Sequence, residues 1–239
     1  MTDLEYLKRY YKGNIEEAIK RLKDGEPVQY IVGNVNFYGY TFEVNKDVLI
    51  PRFETEELVE KTLKYINKYL DNNLDIVDLG TGSGCIAITL KKELKSSNID
   101  AVDISNKALM VAKKNAKNNN VDINFIENDF LNGITKKYDV IISNPPYISK
   151  DEEIMDIVKN NEPELALYAN NDGLKCYETI LEQAKNNLKE KNIIAFEIGY
   201  MQGEKLTKLA QTHFPSSLIL LEKDLQNKDR FLFILNNCE

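Results

Sequence analysis

Short apolar runs alternate with helical patterns along the chain from Leu74 onward. The runs at residues 76–77, 99–102 and 140–142 are too short for helices and are rich in β-branched residues, which is typical of strands buried on both faces of a sheet. The stretches between them space apolar residues as amphipathic helices do. Such alternation predicts parallel strands joined by crossover helices. We therefore predict an α/β fold with a Rossmann-like, doubly wound, seven-stranded sheet.

The end of the chain departs from this pattern. Two apolar runs, at residues 218–221 and 231–235, are joined by residues 222–230. This connection is too short to hold a crossover helix, which a parallel pair would require. The sequence therefore predicts a C-terminal antiparallel hairpin at the end of the sheet.

The first 50 residues differ in character from the rest. Residues 1–25 space their apolar side chains as two short helices do. Residues 26–50 contain more aromatic and β-branched residues and two glycines, which favours a β-hairpin connector. Residues 51–239 are predicted to form the main domain, opening with a long amphipathic helix that Thr55 is expected to cap.

Composition restricts the classes of function. A chain of 239 residues is long enough for one sizeable core, and its formal charge of −7 gives no overall attraction to nucleic acid. The three cysteines lie far apart and His213 is the only histidine, so we expect no metal site and no histidine-centred catalysis. No segment has the length of a signal peptide's apolar core or of a membrane span. We expect a soluble, cytoplasmic protein with no membrane partner.

A glycine-rich loop follows the first strand of the alternating region. Its residues are Asp78-Leu79-Gly80-Thr81-Gly82-Ser83-Gly84. Glycines let a backbone turn tightly and approach a ligand closely. The spacing differs from the dinucleotide fingerprint, and a carboxylate at the entrance suits a cationic ligand better than a pyrophosphate. S-adenosylmethionine, which carries an ammonium and a sulfonium group, meets this requirement.

Acidic residues also follow the next two predicted strands. Asp103 can accept hydrogen bonds from both hydroxyls of a ribose, and Asp129-Phe130 offers an acceptor and an apolar face for adenine. Each residue alone could equally be part of a turn or a helix cap. Together with Asp78 they occupy three successive strand ends, which favours a nucleoside site.

The segment Asn144-Pro145-Pro146-Tyr147 follows the strand at residues 140–142. Proline ends a strand abruptly, and ligands of open α/β sheets bind at this edge. The Asn144 oxygen and a backbone carbonyl could accept the two hydrogens of a flat NH₂ group while the Tyr147 ring stacks on its plane. These four residues alone are equally compatible with a plain strand-terminating turn.

Two further charged positions have open roles. Arg52, with Glu54 and Glu56, precedes the long helix and either forms structural ion pairs or lines a substrate pocket, the first being favoured. Glu197 ends a buried strand, where carboxylates rarely lie without a partner. Its role is open between substrate contact and a buried pair with an arginine.

Several of these stretches resemble a known family. The glycine loop with Asp103 resembles class I S-adenosylmethionine-dependent methyltransferases, and the Asn-Pro-Pro-Tyr segment resembles those that methylate planar nitrogen. Further stretches are similar to the PrmC/HemK family, which methylates the side-chain amide nitrogen (N5) of a glutamine in peptide chain release factors. These stretches are residues 26–33, 49–56, 162–174, 197–203 and 223–230.

The resemblance implies roles for residues and partners. S-adenosylmethionine would be the cofactor, S-adenosylhomocysteine its product, and a release factor the protein substrate, with no direct contact to nucleic acid. Asn144 would contact both cofactor and substrate. The cofactor would also contact Gly80, Thr81, Gly82, Ser83, Gly84, Asp103 and Phe130, and the glutamine would lie on Pro145, Pro146 and Tyr147.

The sequence departs from the family pattern at one place. The family usually carries a helical domain at the front that is longer than the two short helices available in residues 1–25.

Two alternative functions accompany this resemblance. An N6-adenine or other exocyclic-amine methyltransferase acting on DNA or RNA could use the same Asn-Pro-Pro-Tyr chemistry, but it would need a basic groove. A binding module that has lost catalysis is disfavoured by the intact loop and Asn144.

Overall fold

The computed structural model describes residues 2–149 and 151–238, which contain ten helices and nine strands. The front of the chain holds α1 (Asp3–Tyr10), α2 (Ile15–Lys23), α3 (Val28–Val32), β1 (Asn34–Phe37) and β2 (Tyr40–Glu43). The rest comprises α4 (Phe53–Tyr69), β3 (Asp75–Leu79), α5 (Cys85–Glu93), β4 (Asn98–Asp103), α6 (Asn106–Asn118), β5 (Asn124–Glu127), β6 (Tyr138–Ser143), α7 (Asp156–Asn161), α8 (Glu164–Leu167), α9 (Lys175–Ala184), β7 (Leu188–Glu197), α10 (Gly203–His213), β8 (Leu218–Lys223) and β9 (Asp229–Asn236).

The two helices predicted at the front are present, and each begins at a polar cap. Thr2 and Glu5 form a reciprocal capping box at the start of α1. The Asn14 side chain accepts hydrogen bonds from the backbone N–H groups of Glu16 and Glu17 at the start of α2. These bonds satisfy donors that have no partner inside a helix, so the sequence position of the cap sets where each helix starts.

The predicted hairpin connector is only partly β structure. β1 and β2 pair antiparallel as predicted, but the one-turn helix α3 precedes them, so the predicted β structure is wrong at Val28–Val32. Val28 and Ile31 lie one helical turn apart and pack with Leu7 and Ala18 in a small apolar cluster. Packing against the first two helices therefore outweighs the local β propensity of this segment.

The main sheet has seven strands in the order β5-β4-β3-β6-β7-β9-β8. The first five of these strands are parallel to one another, and β9 pairs antiparallel with both β7 and β8. The predicted doubly wound sheet and its closing hairpin are thereby confirmed.

The strand order reverses direction at β3. From β3 the chain builds outward to β4 and β5, and β6 then returns to pair with the other side of β3. The loops that leave β3 and β6 therefore diverge, which opens a crevice at the carboxyl edge of the sheet. The glycine loop and the Asn-Pro-Pro-Tyr segment are the two loops that border this crevice.

Apolar side chains cover both faces of the sheet. On one face α4, α5 and the front hairpin contribute to a core that includes Phe42, Leu58 and Ile88. On the other face α9 and α10 contribute Tyr177, Leu181 and Leu206. Strands with buried side chains on both faces explain the continuous apolar runs in the sequence.

In the described ranges, no helix has the length and apolar character that crossing a membrane requires. The division at residues 25 and 50 is not decided by the arrangement of these elements and stays a prediction.

Candidate functional site

A cavity of about 280 Å³ lies at the carboxyl edge of the sheet. Seven of the residues predicted for cofactor and substrate line it: Gly80, Gly82, Asp103, Asp129, Phe130, Asn144 and Pro146. The remaining predicted residues lie outside its wall: Asp78, Thr81, Ser83, Gly84, Pro145, Tyr147, Arg52 and Glu197. The structure therefore brings the ends of β3, β4, β5 and β6 to one site, while the other predicted residues do not line it.

The glycine loop leaves open space beside the cavity. Gly80 and Gly82 have φ angles of +71° and +55°, and a Cβ on either would meet no heavy atom within 4 Å. Glycine adopts this conformation without strain and keeps the backbone accessible to a ligand. Gly84 differs, because its Cβ would lie 3.0 Å from Ile88 Cδ1 and 3.1 Å from Ala112 Cβ. Its missing side chain lets α5 approach α6.

The side chain of Asp78 is buried and stabilises the glycine loop through hydrogen bonds. Its Oδ2 accepts hydrogen bonds from the Thr81 hydroxyl at 2.6 Å and from the Ala87 backbone N–H at 3.2 Å. Its Oδ1 is buried and has no hydrogen-bond partner among residues 2–149 and 151–238. Burial raises the pKa of Asp78 to about 7, against the lowering effect of those two bonds. Contact between Asp78 and a cofactor stays a prediction.

Replacing Asp78 with asparagine should change how stability depends on pH. Because the carboxyl has a higher pKa in the folded state than its ordinary 3.8, the folded protein retains a proton that the unfolded chain releases. Its contribution to stability is therefore greatest at low pH and is lost as pH rises toward about 7. From pH 5 to pH 8, the unfolding free energy of the wild type should fall by about 2–3 kcal/mol relative to Asp78→Asn. Urea unfolding at both pH values measures this difference.

Asp75→Asn is the matched control, since Asp75 lies at the other end of β3. Burial would raise the pKa of Asp75, but hydrogen bonds from Lys189 and Asn98 outweigh that effect and lower it. The carboxyl is then ionised in both states across pH 5 to 8, so the control should give no comparable change. Equal pH dependence in both variants would contradict the assignment to Asp78.

Asp103 faces the cavity while bonded to the loop. Its Oδ2 accepts from the Gly82 N–H at 2.9 Å and its Oδ1 from the Ser105 N–H at 2.8 Å. Burial raises the pKa of Asp103, and these backbone bonds oppose the rise. Each carboxylate oxygen retains a further lone pair for a ligand donor. Asp103 thus couples the glycine loop to the end of β4.

Phe130 reaches the cavity through an unusual backbone conformation. Its φ is +49°, which is rare for an aromatic residue. The Asn128 side chain donates hydrogen bonds to the carbonyls of Phe130 at 3.1 Å and Asn132 at 2.8 Å, and thereby holds the turn. Such strain at a cavity wall is typical of functional sites. Asn128 also lines the cavity, and no feature of the sequence marked it in advance.

The Asn-Pro-Pro-Tyr segment is fixed at both ends. The Ser143 hydroxyl donates to the Leu79 carbonyl at 2.6 Å, which ties the end of β6 to the end of β3. The Gln202 side chain donates from Nε2 to the Tyr147 carbonyl at 2.9 Å and accepts from the Gly199 N–H at 3.0 Å. The backbone that presents Asn144 is therefore held before any ligand arrives.

Thr55 does not cap α4, contrary to the prediction. The helix begins after Arg52 with no side-chain cap, and Thr55 lies buried in its first turn. The Thr55 hydroxyl donates to Glu197 Oε2 at 2.7 Å and accepts from Asn144 Nδ2 at 3.1 Å. Burial raises the pKa of Glu197 to about 7, while the bond from Thr55 and the charge of Arg230 lower it.

Arg52 pairs with neither of the nearby glutamates on α4. Its Nη2 lies 2.5 Å from Oε1 of the buried Glu162, whose Oε2 also accepts from the Ile50 backbone N–H at 3.3 Å. This pair fastens the segment before α4 to the segment that precedes α8. The favoured structural role of Arg52 therefore has a partner far away in the sequence, and substrate contact by Arg52 stays a prediction.

Part of the remaining wall comes from residues to which the sequence analysis gave no individual role, although some lie in stretches that resemble the family. Leu165, Ala166 and Tyr168 from α8 and its end face Val48 and Leu49 across the opening. These residues are apolar or aromatic and lie in irregular segments or in a very short helix. Their role depends on the Arg52–Glu162 pair, which joins segments 110 residues apart.

The comparisons with known proteins agree with this geometry. A family model described as "Methyltransferase small domain" matches residues 53–165. The release factor glutamine methyltransferase of Lactococcus lactis is 43% identical over 222 residues, covering 92% of this chain and 81% of the relative. That of Bacillus subtilis is 44% identical over 220 residues, covering 89% and 76%.

Solved structures give the same fold. The protein-(glutamine-N5) methyltransferase (release factor-specific) of Alicyclobacillus acidocaldarius matches 82% of this chain and 99% of its own, with 25% identity and a TM-score of 0.51. The 16S rRNA N2 G1207 methyltransferase of Thermus thermophilus, solved with AdoMet and guanosine, matches 85% and 50%, with 15% identity and a TM-score of 0.62. Because the sequence identity to the Thermus thermophilus enzyme is only 15%, this similarity shows the fold alone.

A seven-stranded sheet with this order, a glycine loop after β3 and an acid after β4 defines a methyltransferase of the Rossmann-like class. The identity and coverage of the relatives go further. The chain belongs to the release factor glutamine methyltransferase family.

Proposed function

We propose that this enzyme transfers a methyl group from S-adenosylmethionine to the side-chain amide nitrogen (N5) of a glutamine in a peptide chain release factor. One observation carries the proposal. A single cavity of about 280 Å³ has Gly80, Gly82 and Asp103 on one side and Asn144 and Pro146 on the other. A nucleoside donor and a planar amide acceptor can thus meet in one enclosed space.

The residues on the cofactor side fit S-adenosylmethionine. The open space beside Gly80 and Gly82 admits a ligand close to the backbone. Asp103 has free lone pairs for ribose hydroxyls, and Phe130 and Ile104 supply apolar surface for an adenine ring. When bound, S-adenosylmethionine supplies an electrophilic methyl group on its sulfonium and leaves as S-adenosylhomocysteine.

The residues on the acceptor side must compensate for the low nucleophilicity of the substrate's amide nitrogen. The lone pair of an amide nitrogen is delocalised into its carbonyl, so the nitrogen reacts only when it is well oriented. Asn144 Oδ1 and the Pro145 carbonyl would accept its two N–H groups and hold its remaining face toward the methyl group. Positive charge that develops on the nitrogen would be stabilised by these two carbonyl dipoles. The nitrogen then releases one proton to water, and no covalent intermediate with the enzyme is required.

Tyr147 would complete the acceptor side. Its backbone is fixed by Gln202, and its half-buried ring packs against the apolar core beside β7. Burial raises the pKa of the Tyr147 hydroxyl above its ordinary value, so the ring is neutral at physiological pH. A neutral aromatic face suits a planar amide and excludes water from it.

The relatives support the choice of acceptor. Those of Lactococcus lactis and Bacillus subtilis are named release factor glutamine methyltransferases, and each aligns with most of this chain. A glutamine that reaches a cavity at the edge of a sheet must lie on a protruding loop of its protein. A release factor acts in translation, so we place the enzyme in the cytoplasm.

The test is a methyl-transfer assay with several acceptors. Purified protein is incubated with S-adenosylmethionine labelled in its methyl group and with a release factor, the same factor with its acceptor glutamine changed to alanine, ribosomal RNA or DNA. We expect label on the unmodified factor alone, and mass spectrometry should place one methyl group on a glutamine side chain. Label on RNA or DNA alone would support the exocyclic-amine alternative. No label on any acceptor, with S-adenosylmethionine still bound, would support a binding module.

A further inference from the structure

Three polar side chains from distant parts of the sequence form a series of hydrogen bonds that starts at the cavity wall. Asn144 follows β6, Thr55 lies in the first turn of α4, and Glu197 ends β7. Asn144 Nδ2 donates to Thr55 Oγ1 at 3.1 Å, and Thr55 Oγ1 donates to Glu197 Oε2 at 2.7 Å. Thr55 and Glu197 are only 3% and 2% exposed, so the bond between them is shielded from water, and Asn144 is half-buried.

The chemistry of these groups determines which group donates and which accepts in each of the two hydrogen bonds. The hydroxyl of Thr55 has a single hydrogen, and it donates that hydrogen to Glu197 Oε2. The Thr55 oxygen can then only accept, and the side chain of Asn144 can satisfy it only through Nδ2. Asn144 Oδ1 is consequently left without a donor in the described part of the chain and is available to a ligand.

Burial raises the pKa of Glu197 to about 7, and charges of both signs lie around it. Arg230 on β9 and Arg52 before α4 favour the charge, and Glu54 on α4 opposes it. Two tyrosines, Tyr147 and Tyr177, face the same region, and the Tyr177 hydroxyl donates to the backbone carbonyl of Glu197 at 2.8 Å. The hydroxyl of Thr55 donates to Glu197 Oε2, and this bond lowers the pKa of the carboxyl and so favours its ionised, accepting form.

We propose that Thr55 and Glu197 are positioning residues that set the orientation of the Asn144 amide, so that its oxygen and not its NH₂ group meets the substrate nitrogen. This inference rests on the proposed function, because it assumes an NH₂-bearing substrate. If the Asn144 amide were turned over, its own NH₂ would face the NH₂ of the substrate, and two donors would oppose each other.

Replacement of Thr55 by valine tests this directly, because valine keeps the shape and removes the hydroxyl. We expect Thr55→Val to lower kcat by about tenfold to a hundredfold, since the Asn144 amide loses its orienting bond. The KM for the release factor and the Kd for S-adenosylmethionine should stay within about threefold. Thr55→Ser, which retains the hydroxyl, should restore kcat to within about threefold of the wild type.

Thr62→Val is the matched control on the same helix. Thr62 is fully buried and donates to the Leu58 carbonyl at 2.7 Å, far from the chain of bonds described above. It tests the general effect of removing a buried hydroxyl from α4, and kcat should remain within about threefold of the wild type. Equal losses in Thr62→Val and Thr55→Val would overturn the positioning role.

A second measurement does not depend on activity. In protein labelled with ¹⁵N-asparagine, the side-chain amide signals of Asn144 are those that disappear in Asn144→Ala. Their hydrogen exchange with solvent should be at least about tenfold faster in Thr55→Val than in the wild type, Thr55→Ser or Thr62→Val. Unchanged exchange would overturn the inference. A wild-type enzyme that does not methylate the release factor would instead refute the proposed function, and the exchange data would still decide the orientation.

Glu197→Gln keeps the inference testable if Thr55→Val does not fold. A glutamine at this position can donate as well as accept, so the hydroxyl of Thr55 is no longer committed. We expect faster exchange of the Asn144 amide and a kcat reduced by about threefold to tenfold. Wild-type values for both would overturn the role of Glu197.

Discussion

Replacement of Asn144 by alanine should lower kcat by about a hundredfold to a thousandfold and leave the Kd for S-adenosylmethionine within about tenfold. The side chain contributes one wall of the cavity, and its Oδ1 is the acceptor that the Thr55 bond leaves free. Its loss removes both the orientation of the substrate amide and a dipole that stabilises the charge on the nitrogen. The cofactor side of the cavity, including Gly82 and Asp103, is unchanged. Calorimetric binding and steady-state methylation of the release factor measure the two quantities.

Asn67→Ala is a suitable control for this variant. Asn67 is exposed near the C-terminal end of α4 and does not line the cavity. Its replacement should leave both the rate and the affinity unchanged. Full methylation by Asn144→Ala would remove Asn144 from the reaction, and a large loss of cofactor affinity would mean that its main role is binding.

Replacement of Gly173 by alanine should lower the free energy of unfolding by about 2–5 kcal/mol. Gly173 has φ +78°, and its Cβ would lie 2.0 Å from the Tyr147 carbonyl oxygen and 2.5 Å from Gln202 Nε2. Backbone cannot be displaced as easily as a flexible side chain, so the collision would also shift Tyr147 and break its bond to Gln202. We therefore expect a reduced kcat in the fraction that folds. Urea unfolding and the methylation assay measure the two effects.

Gly133→Ala separates conformational strain from collision. Gly133 has a similar φ of +70°, but a Cβ there would meet no heavy atom within 4 Å. This variant should lose about 1–2 kcal/mol, the cost of a left-handed conformation for alanine. If both variants lose the same free energy, the close approach between Gly173 and Tyr147 is of no consequence to stability.

Local features of the sequence allowed much of the fold to be predicted. Alternating apolar runs and helical patterns indicated the doubly wound sheet, and the short connection at residues 222–230 indicated the closing hairpin. These signals are reliable because chain length and hydrophobic period are physical constraints on strands and helices. The helix at Val28–Val32 was not predicted, since its apolar face depends on contacts with α1 and α2.

The candidate site was predictable where function imposes a backbone requirement. Gly80 and Gly82 adopt positive φ angles beside a ligand cavity, and the prolines after Asn144 end a strand. Such requirements leave short motifs in the sequence. Leu165 and Tyr168 left no such motif, because any apolar side chain of suitable size can form a cavity wall.

The sequence by itself determined the strands, the loops at their ends and the residue types that could bind a nucleoside and an amide. Only the tertiary structure decided which of these residues share a cavity and which do not line it. Thr55 is the clearest case, since its sequence position suggested a helix cap but its hydroxyl joins Asn144 to Glu197, residues 89 and 142 positions away. A hydrogen bond is specified by three-dimensional proximity and direction, and neither is encoded in the local sequence around the groups it joins.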